Sequence, residues 1–328
     1  MNKYNDINLA IVGCGKWGMN HVKTAYKLLG DNLKAVYDLD TNLKEKIKAV
    51  SPSINLCPDI SLCYKNEDIN CVIVATPAET HYSITKTLLN NGKHVLVEKP
   101  MTLHSVETND LLHISDNKNL ILMSGHILLY HPAVVKIKEM INDGKIGKVQ
   151  YIYSNRLNLG TIRSEENILW SFAPHDISIV QYLLDSFPIR VNAYGAKYLQ
   201  PGIEDTTITI LNYPGNINVH IFVSWLHPFK EQRFVVIGDK GMIVFEDSAR
   251  EDKLKYYEKG FAMKNGVLLK FESDYEVISY PDLSPLEEEQ KHFFDCILNN
   301  NCPLSDGKHT YDVLKILEMA ASQLLASD

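Results

Sequence analysis

The first 126 residues of this chain alternate between two hydrophobic periods, and that alternation limits the fold more than any other feature. Short apolar runs at residues 8–12, 33–37, 70–75, 94–97 and 120–124 are bounded by turn residues, as strands buried on both faces should be. Helical patterns at 17–29, 41–50, 80–91 and 105–117 lie between them. Strand, helix, strand repetition implies a doubly wound parallel sheet. After Gly125 the rhythm changes, starting with a helix that Pro132 opens and Gly144 closes. Longer alternating strands are predicted at 149–157, 190–198, 206–213, 217–225, 233–237 and 242–246, with a helix at about 174–184 and two terminal helices at 285–299 and 308–325. The expected architecture is therefore α/β, with a doubly wound domain over 1–126 and an α+β domain on an open, mainly antiparallel sheet over 127–328.

Composition narrows the function classes. At 328 residues the chain is about twice the usual domain size, and 45% hydrophobic against 22% charged residues suits an ordinary folded protein. A net charge of -7 gives no cationic footprint, so nucleic acid is not an expected partner. The most apolar stretch, 120–135, contains His126, His131 and Pro132 and is shorter than the roughly 20 residues a membrane span requires. With no basic and apolar leader pattern at the start, a soluble cytoplasmic protein is expected. The cysteines, at 14, 57, 63, 71, 296 and 302, lack CxxC spacing and read as reduced thiols.

Gly13-Cys14-Gly15-Lys16-Trp17-Gly18 fits GxGxxG between the first strand and the first helix, the context of a Rossmann dinucleotide fingerprint. Gly13 permits the tight turn, Gly15 lets the backbone approach a pyrophosphate, and Gly18 lets helix pack on strand, while the helix start supplies amide donors. Lys16 and Trp17 within the motif are further cofactor-binding candidates. The expected acidic residue follows at Asp38, whose carboxylate suits an adenosine ribose and repels a 2′-phosphate, so NAD is favoured over NADP. Asp40 takes that place if the strand register differs.

Thr76, Pro77 and His81, in Ala75-Thr76-Pro77-Ala78-Glu79-Thr80-His81, follow the next strand at the carboxyl edge where ligands bind, with His81 equally readable as a capping or packing residue. Glu98-Lys99-Pro100 ends the strand after that, again at the ligand edge, and Glu98 and Lys99 are cofactor-binding candidates. At the mouth of a nicotinamide site Lys99 can donate to a substrate hydroxyl oxygen and favour its alkoxide.

Together the GxGxxG turn, the ATPAETH and EKP segments and the long C-terminal sheet resemble the Gfo/Idh/MocA family of sugar oxidoreductases along essentially the whole chain. The resemblance implies NAD(P)-dependent hydride transfer at a carbohydrate hydroxyl or ketone, with Lys99 near the reacting oxygen and a sheet domain that builds the sugar pocket and an oligomer interface. In Ser171-Phe172-Ala173-Pro174-His175-Asp176, His175 matches the family histidine and is the candidate base. Ser171 stands where many members carry aspartate, Ala173 departs too, and Asp176 is out of register; Ser171, His175 and Asp176 are all candidate substrate binders, with Lys99. Arg156, Asn158, Arg163, Asn167 and Trp170 are candidate substrate binders, the arginines for diphosphate and the tryptophan for stacking. This stretch resembles the family branch that oxidises nucleotide sugars at C3, UDP-N-acetylglucosamine among them, to 3-keto sugars that are later transaminated.

The alternatives are a 3-ketosugar reductase using NADP, a simple sugar or polyol dehydrogenase, and a non-catalytic NAD-binding regulator. His126, His131 and His227 supply no convincing zinc spacing, so no metal is assigned. Alternating strands between 206 and 245 expose Ile, Val, Phe and Trp on more than one face, which predicts a homo-oligomer, dimer or tetramer, through the C-terminal sheet.

Overall fold

The computed structural model describes residues 3–54 and 56–325. They divide into two compact units, Met1–Tyr130 with Leu283–Tyr311, and His131–Asp282 with Asp312–Asp328. The sequence boundary at 126/127 leaves residues 283–311 in the second domain. They instead join the first unit, tied there by Lys27 to Glu287 (2.5 Å) and by the Gln290 amide to the carbonyl oxygen of His21 (3.3 Å). Such contacts link residues some 260 positions apart, beyond the reach of local periodicity.

The first unit is built on six parallel strands, β1 (Leu9–Val12), β2 (Leu33–Tyr37), β3 (Leu56–Cys57), β4 (Cys71–Val74), β5 (His94–Glu98) and β6 (Leu122–Gly125), in the order 3-2-1-4-5-6. Helices α1 (Gly18–Leu29), α2 (Lys44–Val50), α3 (Ser61–Lys65), α4 (Ala78–Asn90) and α5 (Ser105–Lys118) connect them. Strands β1 and β4 are buried at every position, which is why they read as continuous apolar runs. The edge strand β3 and the single turn of α3 are too short to leave a periodic signal. Between β1 and β4 the strand order reverses, and the carboxyl ends there mark the ligand-binding crevice of such sheets.

In the second unit, α6 (Pro132–Asn142) precedes β7 (Val149–Leu159) and α7 (Ile168–Leu184). Seven more strands follow: β8 (Arg190–Ala196), β9 (Thr206–Tyr213), β10 (Ile217–Ser224), β11 (Leu226–Gly238), β12 (Met242–Glu246), β13 (Leu254–Lys264) and β14 (Val267–Val277). They form one sheet in the order 14-13-12-11-7-10-9-8, antiparallel except where β7 runs parallel to β10. Two helices complete the chain, α8 (Pro285–Asn299) in the first unit and α9 (Gly307–Leu325).

Helix α7 begins six residues before its predicted start. Asn167 caps it, its side chain accepting from the Trp170 amide (3.2 Å), so Pro174 falls inside the helix and only removes one donor from its second turn. Nearly every side chain after Ala173 is buried, and the helix covers one face of the sheet through β7, β9 and β10. The β13–β14 hairpin was not expected from the sequence. Its Asn265-Gly266 turn, with both residues at positive φ (52° and 78°), is the standard two-residue hairpin signal and was there to be read.

A buried carboxylate fixes the turn between β8 and β9. Asp205, fully buried, accepts the Trp225 indole N–H (2.6 Å) and the amides of Tyr198 (2.6 Å) and Leu199 (2.8 Å). Trp225 is 1% exposed, so it belongs to the core and does not contribute to the exposed face predicted for these strands. Asp205→Ala leaves three donors without their acceptor and should lower stability by about 3 kcal/mol in urea unfolding. A loss under about 1 kcal/mol would contradict this role.

Candidate functional site

In the first unit the site begins at the turn after β1. Gly13 sits at φ +92°, and a Cβ there would meet the Ala75 carbonyl carbon at 2.6 Å and the Thr76 nitrogen at 2.8 Å. A Cβ on Gly18 would meet the Gly13 oxygen at 2.1 Å. Gly15 differs, since an added Cβ meets nothing within 4 Å. Packing requires the outer two glycines, whereas at Gly15 the open space lies where a ligand diphosphate would approach. No side chain caps the start of α1, where the Met19 and Asn20 amides turn back to the Gly15 and Trp17 carbonyls (3.0 and 2.8 Å), and the positive end of the helix suits an anion at the glycine turn. Asp38, at the end of β2, accepts the Cys14 amide (2.5 Å) on one oxygen and the Asp40 amide (2.8 Å) on the other. Its carboxylate therefore lies at the turn, while Asp40 caps the next helical turn through Asn42 (3.0 Å). These residues fit a dinucleotide. Lys16 and Trp17 are both exposed.

Thr76 and Pro77 follow β4, with Thr76 taking the Thr80 hydroxyl (2.7 Å). His81 is a correction. Its two ring nitrogens lie 2.8 Å from the Thr76 carbonyl and 2.7 Å from the Pro100 carbonyl, and it is 1% exposed. It braces the loops after β4 and β5 and presents no ring nitrogen to a cofactor.

At the end of β5, Glu98 is bonded by Trp17, His21 and the Lys99 amide. Lys99 follows, half-buried, through a cis bond to Pro100. Beyond β6 lies buried His126, whose pKa burial pushes well down, with the charges of His309 and Lys99 adding to the effect. Sequence reasoning missed His21, and Glu98, expected as a cofactor contact, has both carboxylate oxygens engaged by protein donors. An i, i+4 pair of Trp17 and His21 on one helix face was the available signal.

In the second unit, His175 is half-buried on α7. Arg156 and Asp176 are a second correction. The Arg156 guanidinium grips Asp176 through Nε (2.7 Å) and Nη2 (3.0 Å), and Asp176 also accepts the Ser154 hydroxyl (2.6 Å). The two side chains are only 14% and 2% exposed, so Arg156 is not offered to a diphosphate and Asp176 does not stand in for the family aspartate. Ser171 is buried. Asn167 caps α7 and donates to Glu204 (2.6 Å), and Trp170 is half-buried one turn ahead of His175. Asn158 packs against Gly160, its buried Oδ1 without a partner among the described residues. Arg163 remains solvent-facing at 55% exposure, beside Glu166 at 3.2 Å.

His131 caps α6 through the Ala133 amide (3.1 Å), and His227 turns its ring to the Phe229 carbonyl (3.0 Å). The contrast between the glycines is testable. Gly15→Ala should keep the wild-type Tm and lose at least about tenfold in NAD affinity by calorimetry, whereas Gly18→Ala should unfold at lower temperature. Equal effects on both properties in the two variants would contradict the assignment.

Comparison with known proteins agrees with this geometry. Residues 7–126 match the model of an oxidoreductase family with an NAD-binding Rossmann fold, and residues 134–244 match the GFO/IDH/MocA C-terminal domain. The scyllo-inositol 2-dehydrogenase (NAD(+)) of Bacillus subtilis is 24% identical over 320 residues, covering 92% of this chain and 89% of that protein. The 2,7-anhydro-N-acetylneuraminate hydratase of Mediterraneibacter gnavus is 26% identical over 253 residues, 72% of this chain and 66% of its own length. Among solved structures, UDP-N-acetylglucosamine 3-dehydrogenase GnnA from Acidithiobacillus ferrooxidans shares the fold with a TM-score of 0.82, at 19% identity and 97% coverage of both chains. With both of its domains matched, the chain belongs to the GFO/IDH/MocA oxidoreductase family, as an NAD(P)-dependent dehydrogenase.

Proposed function

We propose that the protein uses NAD to oxidise a nucleotide sugar, at the C3 hydroxyl of a UDP-N-acetylglucosamine-type substrate, giving a 3-keto sugar. The observation that carries this reading is Arg163, an exposed guanidinium in the loop leading to the helix that holds His175. A charge-assisted fork of this kind suits a diphosphate. One protein of the same fold is a UDP-N-acetylglucosamine 3-dehydrogenase. NAD is preferred over NADP because Asp38 places negative charge where a 2′-phosphate would lie and exposed Leu39 offers no cation.

Oxidation removes a hydride and a proton from the carbinol. Bound NAD supplies the hydride acceptor. In the first unit Lys99 is the proposed donor that stabilises the developing alkoxide, and in the second His175 is the proposed general base. A second reading, a free polyol or simple sugar dehydrogenase, is favoured by the Arg156–Asp176 pair, which leaves Arg163 as the one arginine of this stretch facing solvent. An inositol dehydrogenase also matches over most of the chain.

We further propose a homo-oligomer through the open sheet. Tyr151, Tyr194 and Ile208 are exposed on its strands, and Phe261, Met263, Leu268 and Tyr275 on the β13–β14 hairpin.

UDP-N-acetylglucosamine should reduce NAD far more efficiently than free N-acetylglucosamine or inositol does, and NADP should serve poorly. Arg163→Ala should raise KM for the UDP-sugar about tenfold with little change in the NAD constant. Equal oxidation of free sugar or inositol selects the second reading, and equal efficiency with NADP removes the role of Asp38. Lys99→Met and His175→Ala should each lower turnover by about 10²–10⁴-fold while NAD binding persists, and a folded variant with normal turnover would remove that residue from the chemistry. Light scattering at micromolar concentration should find a dimer or tetramer, against which a monomer would count directly.

A further inference from the structure

We propose that Glu98 is a positioning residue whose carboxylate ties the glycine-rich turn to the backbone of Lys99, so that the NAD-binding turn and the lysine are set together. Glu98 Oε1 accepts the Trp17 indole N–H (2.5 Å) and lies 2.7 Å from His21 Nε2, while Oε2 accepts the Lys99 amide (3.2 Å). Gly125 on the adjacent strand makes the room, since a Cβ there would meet the Glu98 carboxylate at 2.9 to 3.1 Å.

The direction of the His21 bond follows from Gln290. The Gln290 amide nitrogen donates to the His21 carbonyl (3.3 Å), which fixes the amide orientation, and the same nitrogen lies 3.1 Å from His21 Nδ1. Nδ1 is thereby the acceptor, and Nε2 carries the hydrogen that goes to Glu98. His21, Glu98 and Glu289 place ligand atoms within 4.8 Å of one another, the makings of a cation site. An Nε2 that bears hydrogen has no lone pair for a cation, so the cluster reads as a proton-holding one.

Glu289 completes it. It is fully buried, and neither carboxyl oxygen has a hydrogen-bond partner among the described residues. A second carboxylate there would face Glu98 without compensation, and Glu289 is accordingly held neutral, its pKa driven well up by burial and then by the Glu98 charge. On Glu98 itself burial acts upward too, but the bonds from His21 and Trp17 outweigh it and keep the group ionised. One negative charge then serves three donors.

The consequence for catalysis rests on the reading of Lys99 as the residue at the reacting oxygen. The test compares wild type, Glu98→Gln, Glu289→Gln and Lys99→Met. Calorimetric titration with NAD should show affinity down about tenfold in Glu98→Gln, because the turn carrying Trp17 loses its anchor, and unchanged in Lys99→Met. With UDP-N-acetylglucosamine, or inositol if the second reading holds, Glu98→Gln should lower kcat at least about tenfold with substrate KM within about threefold of wild type. Infrared spectra at neutral pH should show the C=O stretch of a protonated carboxylic acid in wild type and its absence in Glu289→Gln. NAD affinity at the wild-type level in Glu98→Gln overturns the proposal, as does an infrared spectrum that Glu289→Gln leaves unchanged. If Glu98→Gln does not fold, Trp17→Phe serves in its place. It removes one donor from an exposed side chain and should still weaken NAD binding, with retained affinity again overturning the tie. Normal turnover in Lys99→Met overturns the reading of the lysine and leaves the NAD and infrared results standing as the test of Glu98 and Glu289.

Discussion

The first unit turns on the close approach of three backbone segments at the end of β1. Gly13, Gly18 and Ala75 meet at distances that leave no space for a Cβ on either glycine. This crossing brings the start of α1 against the carboxyl ends of β1 and β4, and so fixes where the positive end of the helix points. It also fixes the helix face that carries Trp17 and His21, and through their bonds to Glu98 the geometry reaches the end of β5 and Lys99. A steric constraint at the glycine turn thus becomes an electrostatic one two strands away in the sheet order.

The second unit solves a different problem. Its long sheet has one face covered by α7 and another with aromatic and aliphatic side chains left outside. Buried carboxylates fix local structure here, Asp205 by taking the Trp225 indole and two amides and Asp176 by pairing with Arg156. A buried ion pair such as Arg156–Asp176 adds little net stability over a well-packed apolar core, but removing one partner strands the other. That distinction separates Arg156, held inside the unit, from Arg163, which faces solvent.

Sequence reasoning reached the parallel sheet because buried strands and amphipathic helices have different periods, and it reached the glycine turn and Asp38 because backbone clearance and charge are local requirements. What it missed was long-range. Nothing near Arg156 announces Asp176 as its partner, and nothing near His21 announces Gln290 or Glu289 from a helix some 270 residues later. His81 read equally as a cofactor contact or a packing residue because it follows a strand at the ligand edge, and its ring joins two carbonyls that only the folded loops bring together. Pro174 misled in the other direction: a proline suggested a helix start, and the cap at Asn167 had already begun the helix.

The most direct test of the central claim is a crystal structure of the protein grown with NAD. The account predicts the diphosphate over Gly15 and the start of α1, the adenosine ribose within hydrogen-bond distance of Asp38, and the Trp17 indole still donating to Glu98. A diphosphate bound away from the glycine turn, or a ribose held by Asp40 with Trp17 swung off Glu98, would contradict it.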